Sequence, residues 1–134
     1  MISRIFLDTD TLINFLRGNS NIQEKVYYVA QSGNRLNITN ITVYEMLKGL
    51  RYVSNKKQEQ QFKEFLTSVN VFSLNNAAVE IAADIYAVLR KKGITIGDAD
   101  ILIASIVITY GGKLITNNFK HYQHIDGLAI ENWS

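Results

Sequence analysis

Short apolar runs alternate with helical stretches along the whole chain, and no other feature restricts its fold so strongly. ISRIFL (2–7), RLNIT (35–39), NVFSL (70–74), KLITN (113–117) and LAIEN (128–132) carry the β-branched and aromatic residues of strands. Between them, TLINFLRG, NIQEKVYYVAQ, VYEMLKGLRYV, NKKQEQQFKEFLTSV and AAVEIAADIYAVLRKK place apolar residues at helical intervals. About five strands separated by helices predict an α/β domain with a mainly parallel sheet and right-handed crossovers. In such sheets the functional crevice lies beyond the carboxyl ends of the strands, where Asp8 and Asn117–Asn118 fall.

The chain's 134 residues suit one domain over 1–134 with a sizeable core. A net charge of +2 is too small to argue for a nucleic-acid partner from bulk electrostatics, so any anionic partner has to be argued from local clusters. The chain has no cysteine, which excludes disulfides, thiolate metal sites and cysteine nucleophiles and suits a reducing cytoplasm. MISRIFLD does not read as a signal peptide, because its apolar run is broken by Asp8. ILIASIVI (101–108) is far shorter than the roughly 20 residues of a membrane span, so a soluble cytoplasmic protein is expected.

Within this frame the acidic residues stand out. Asp8 and Asp10 follow Ile5-Phe6-Leu7 at a strand-to-helix junction, where one can cap the helix and the other favour its dipole. Yet Asp8 directly continues an apolar strand, and an unpaired buried charge is costly. Thr42-x-x-Glu45 fits a capping box, which accounts for Glu45 without chemistry, but this helix too begins just past a strand end. Asp98 and Asp100 precede ILIASIVITY, a segment apolar on nearly all sides that reads as a buried helix, though its β-branched content also suits a strand. Asp98 is the expected N-cap there. Ser20 is a candidate cap for the second helix, and Asn75 or Asn76 for the long one. His121 and His124 lack a third histidine or a cysteine for a zinc site and read as a surface loop.

A parallel sheet would bring Asp8, Glu45 and Asp100, from three separate junctions, to one edge. Three carboxylates so close would repel unless a cation intervened, and hard oxygen ligands suit Mg²⁺ or Mn²⁺.

FLDTDTLINFLRG, ITNITVYEMLKGL, GITIGDADILIASIVITYGG, KLITNNFKHYQHIDGL and AIENW together resemble the PIN-domain family, specifically the VapC toxins of toxin–antitoxin pairs. The resemblance spans the chain and implies a PIN-like three-layer α/β/α sandwich. It maps the family's first three acids onto Asp8, Glu45 and Asp100, as catalytic residues and metal ligands. Asp10 then takes a usual Asn position, and a fourth acid falls on Asn118. Asp98, Asn118, Asp10 and Thr116 become outer contacts of the metal site. The resemblance further implies metal-dependent cleavage of RNA such as tRNA or rRNA, a homodimer, and a cognate antitoxin that covers the active-site groove.

For the RNA backbone, Arg17, Lys48 and Arg51 follow the helices that begin near Asp8 and Glu45, and Arg90, Lys91 and Lys92 form a second cluster. Tyr44, Met46, Leu47, Leu50 and Tyr52 could line an apolar groove for an antitoxin or a second subunit, or simply pack in the core. Two other readings compete. FLDTDTL superficially fits a haloacid-dehalogenase-type phosphatase, with Asp8 as nucleophile and Asp10 as acid and base, but Glu45 would then have no role. Asn118 in place of an acid also allows a catalytically weak PIN scaffold that binds RNA or protein.

Overall fold

The structure is a computed structural model and describes residues 4–134, so positions 2 and 3 of the first expected strand lie outside the described residues. Twelve elements follow one another: β1 (Arg4–Leu7), α1 (Thr9–Leu16), α2 (Ser20–Gln31), β2 (Asn37–Thr39), α3 (Asn40–Tyr52), α4 (Lys56–Leu66), β3 (Asn70–Phe72), α5 (Asn76–Lys91), α6 (Asp98–Tyr110), β4 (Gly112–Ile115), α7 (Phe119–Tyr122) and β5 (Ala129–Glu131). The strands form one sheet in the order β3-β2-β1-β4-β5, and every pairing is parallel. The expected α/β architecture is therefore what forms.

Alternation along the strands builds the two sides of the sandwich. Phe6 and Leu114 face one side, packed with Ile101, Ile103, Ala104 and Val107 of α6 and with Leu89 of α5. Leu7 and Ile115, one residue on, face the other, against Leu12 of α1, Ile22 of α2 and Phe62 of α4. Each such side chain contributes on the order of 1.5–3 kcal/mol by leaving water. Helix α6 is buried on almost every side, from Ile101 to Val107, because it lies between the sheet and α5. Its strand-like composition is overridden by that position and by Gly111, whose left-handed φ of 72° ends the helix. The next residue, Gly112, passes so close to Phe6 that a Cβ would lie 2.6 Å from the ring.

Three helix starts differ from expectation, each falling earlier. Asn19, not Ser20, caps α2 by accepting from the Ile22 N–H at 3.0 Å. Thr39 caps α3 by accepting from the Thr42 N–H at 3.2 Å, so Thr42 is a buried residue of the first turn and the Thr42–Glu45 capping box does not form. Gly97 precedes α6, and Asp98 is its first residue rather than its cap. Asn75 does cap α5. The loop expected around the histidines contains the short helix α7. No helix among the described residues is long and apolar enough to cross a membrane.

Candidate active site

β1 is the central strand: the chain moves to one side of it through β2 and β3, then returns to the other through β4. A crevice opens at such a switch point, beyond the carboxyl ends of β1 and β4. The residues immediately after those two strands are Asp8 and Thr116. They meet there, the Thr116 hydroxyl donating to Asp8 Oδ2.

Asp8 caps α1, its Oδ1 accepting from the Thr11 N–H at 2.8 Å, so the capping reading of this residue holds. It is also only 4% exposed, and every donor to it is neutral. Burial pushes its pKa above the ordinary value, the hydrogen bonds from Thr116 and Thr11 offset part of that, and Asp10 adds repulsion. No cationic side chain forms an ion pair with it among the described residues. Asp10 itself is exposed.

Glu45, released from the expected capping box, accepts a hydrogen bond from the Thr9 hydroxyl at 2.6 Å. Thr9 also stands 3.2 Å from the Thr42 hydroxyl, so α1 and α3 share one polar contact. Asp100, in the first turn of α6, has Oδ2 2.8 Å from His121 Nδ1, and its Oδ1 accepts from the Tyr122 hydroxyl at 3.1 Å. His121 Nδ1 is also 2.9 Å from Asn118 Nδ2. That nitrogen serves one neighbour at a time: protonated it donates to Asp100, unprotonated it accepts from Asn118. The Asn118 N–H in turn donates to Thr116 Oγ1 at 2.9 Å, which links the fourth strand's end to Asp8.

Tyr122 ties the group together. Its buried hydroxyl has a raised pKa, first through burial and then through the charges of Asp100, Asp8 and Glu45, so it remains a donor. One phenol thus senses all three carboxylates. Carboxylate oxygens are the kind of donor that a hard divalent cation takes, and a buried carboxylate without a cationic partner is the kind of environment such an ion relieves. Among the described residues, no three histidine or acidic side chains stand close enough together to hold a metal ion as they are placed.

Sequence reasoning missed Thr9, His121 and Tyr122. His121, expected in a surface loop, lies between Asp100 and Asn118. The available signal was its spacing, three residues after Asn118 at a strand end. Asp98 is exposed and forms no side-chain hydrogen bond among the described residues.

Of the expected RNA contacts, Lys48 lies one turn after Glu45, while Arg17 and Arg51 lie at or near the far ends of α1 and α3. Helices α1 and α3 start at the carboxylate edge and run away from it. Arg51, in the last turn of α3, lies roughly 17 Å along the axis from its start at 1.5 Å per residue, and it pairs with Glu59 at 3.3 Å. Lys48 Nζ sits 5.1 Å above the Tyr44 ring. Arg17 borders a groove of about 420 Å³ whose apolar walls include Leu16, Met46, Leu50 and Phe62. Of the five residues expected to line a groove, Met46, Leu47 and Leu50 pack partly into the core, while Tyr44 and Tyr52 are exposed.

Known proteins share this fold. A model of the PIN domain matches residues 5–127. Ribonuclease VapC1 of Haemophilus influenzae is 30% identical over 96% of this chain and 96% of its own. The tRNA(fMet)-specific endonuclease VapC of Salmonella typhimurium is 26% identical over 97% and 98%. Among solved structures, a chain of VapBC2 from Rickettsia felis, crystallised with a promoter DNA fragment, has a TM-score of 0.89 at 26% identity and covers 97% of this chain and 98% of that one.

Proposed function

Because the chain belongs to the PIN domain family, we propose that its carboxylate edge is the centre of a ribonuclease toxin of the VapC kind, with Asp8, Glu45 and Asp100 as its working acids. The chain is a nuclease that hydrolyses phosphodiester bonds, and its partner is a cognate antitoxin. The observation that carries the assignment of residues is the hydrogen-bonded ring of neighbours at one end of the sheet: Thr9 on Glu45, Thr116 on Asp8, and His121 and Tyr122 on Asp100. Asp8 and Glu45 follow β1 and β2, whereas Asp100 follows helix α5 and not the strand end expected of it.

Nucleases of this family are generally dependent on a divalent metal, and Mg²⁺ or Mn²⁺ is the expected ion here. Asp8, Asp100 and Glu45 would hold it. When bound, such an ion supplies an acidified water and offsets charge building on the phosphate in the transition state. The chain's own residues do the positioning. Thr116 and Thr11 fix the Asp8 carboxylate, while His121 and Tyr122 fix that of Asp100. Thr9 turns Glu45 toward the same edge, where its carboxylate can orient water and accept a proton. Attack by water leaves 5′-phosphate and 3′-hydroxyl ends.

Structured RNA such as tRNA or rRNA is the proposed substrate, in a homodimer that an antitoxin silences by covering this edge. The phosphatase reading gains nothing from the geometry. Asp10 points into solvent, away from the role of acid and base partner to Asp8.

The test compares wild type with Asp100→Asn on total tRNA and rRNA, with Mn²⁺ or EDTA, and maps the product ends. Cuts that need metal, bear 5′-phosphates and vanish in the variant are expected. Cleavage that persists in EDTA, or that leaves cyclic phosphates, would overturn the mechanism.

A further inference from the structure

The carboxylate edge has an electrostatic difficulty of its own. Asp8, Asp10, Glu45, Asp98 and Asp100 all lie at or beside it, and an RNA backbone brings more negative charge. A metal ion relieves only the phosphate nearest to it, since screening cuts off charge over about 8 Å at physiological salt. Phosphates farther along the strand need another source of positive charge.

Five of the chain's cations are engaged elsewhere. Arg4 donates to the Tyr110 carbonyl, and Arg35 to those of Thr67, Ser68 and Val69. Arg51 and Lys63 pair with Glu59, and Lys113 pairs with Glu131. Arg90, Lys91 and Lys92 are set apart as the one run of three successive cations in the sequence. All three are exposed, and none pairs with a carboxylate among the described residues.

Their place follows from the packing of α5 on α6. Asn75, the cap of α5, donates to the hydroxyl of Tyr110, the last residue of α6, at 3.3 Å, so the two helices run antiparallel. At 1.5 Å per residue, the 16 residues of α5 span about 24 Å and the 13 of α6 about 20 Å. The last turn of α5 therefore stands level with the first turn of α6, where Asp100 sits. The Arg90 guanidinium is braced 5.0 Å above the Tyr86 ring. One basic residue would suffice to favour the helix dipole. Three successive ones fan out around the helix end, beside the most acidic part of the molecule.

We propose that Arg90, Lys91 and Lys92 bind backbone phosphates of the RNA strand that enters the carboxylate edge, with Tyr86 holding Arg90 in place. The proposal rests on the ribonuclease reading. Of the two basic clusters expected from the sequence, it selects the one at the junction of α5 and α6.

The test uses full-length protein carrying Asp100→Asn, in Mg²⁺, with total tRNA as the probe. Lys91→Glu/Lys92→Glu is compared with Lys56→Glu/Lys57→Glu, which changes the net charge equally at the start of α4, away from the edge. The first pair should weaken binding at least tenfold at about 0.15 M salt and lower the slope of log affinity on log salt by about 1.4–1.8, as loss of two phosphate contacts does. The second should weaken it less than threefold. Lys91→Gln/Lys92→Gln gives a milder version of the same loss and guards against misfolding from charge reversal. Equal losses in both charge-reversed pairs, or none in the first, would overturn the inference while the ribonuclease reading stands. If the Asp100→Asn parent binds no RNA and wild type cuts none, both fall together.

Discussion

At the scale of single residues, the decisive feature is that Asp8 does two jobs with opposite electrostatic demands. As a helix cap it needs an oxygen that accepts from Thr11, which an asparagine would supply equally well. As a buried carboxylate it is under strain from desolvation, and its folded pKa lies above the ordinary value of 3.8. The folded chain therefore holds the Asp8 proton more tightly than the unfolded one. Stability from this group is greatest below 3.8 and is lost as pH rises through the folded value. In EDTA at neutral pH, Asp8→Asn should melt a few degrees higher than wild type. The difference should shrink as the pH is lowered toward 4, and RNA cleavage should be absent. A lower melting point in EDTA would show that the carboxylate is satisfied by Thr116 and Thr11 alone. Asp8 and Glu45 were legible in the sequence as acids just past predicted strand ends, and Asp100 as a second acid in front of a buried apolar helix, although that helix follows α5 and not a strand. His121 and Tyr122 were not. A four-residue helix carries too little periodicity to announce itself, and nothing local to FKHYQHID says that it folds back onto Asp100.

At the scale of elements, the strands and helices were readable and their starts were less so. NS, NIT and GD each offer adjacent candidates for one cap, and the backbone path chooses among them, which is why α2, α3 and α6 begin earlier than the pattern suggests. That choice matters for function, since the cap on Thr39 leaves Glu45 available to Thr9. The β4–β5 edge is held by a different device. Glu131 accepts from Lys113 at 2.8 Å and from the Trp133 indole, and these, Lys113 first, hold its pKa below the usual 4.5. Here the sign is reversed: stability present above 4.5 is lost as pH falls through the lowered value. With the Glu131 side chain 40% exposed, the contribution is under about 1 kcal/mol. Trp133 is the chain's one tryptophan, so its fluorescence reports this edge directly. An acid titration should show a transition below pH 4.5 in wild type. Lys113→Met should move that transition toward 4.5. An unchanged profile would mean that Trp133 alone sets the Glu131 environment.

At the scale of the whole molecule, the order β3-β2-β1-β4-β5 was the part the sequence could not supply. Alternating segments imply a parallel sheet, but not which strand is central. With β1 there, the first strand pairs with the fourth, Arg4 opposite Gly112 and Leu7 opposite Ile115. The Asp8–Thr116 contact closes a loop of 108 residues, a slow kind of closure in folding. A chain ending at residue 111 should accordingly lack cooperative unfolding by circular dichroism and cut no RNA, even though it contains Asp8, Glu45 and Asp100. A well-folded, active fragment would mean that β4 and α7 are dispensable to the site. For the cell that makes this protein, the pairing acts as a clock set by translation. While the nascent chain is still on the ribosome and short of Thr116, His121 and Tyr122, the acids already synthesised have no neighbours to hold them. The danger to the host's RNA begins only once β4 and α7 have been made and folded back.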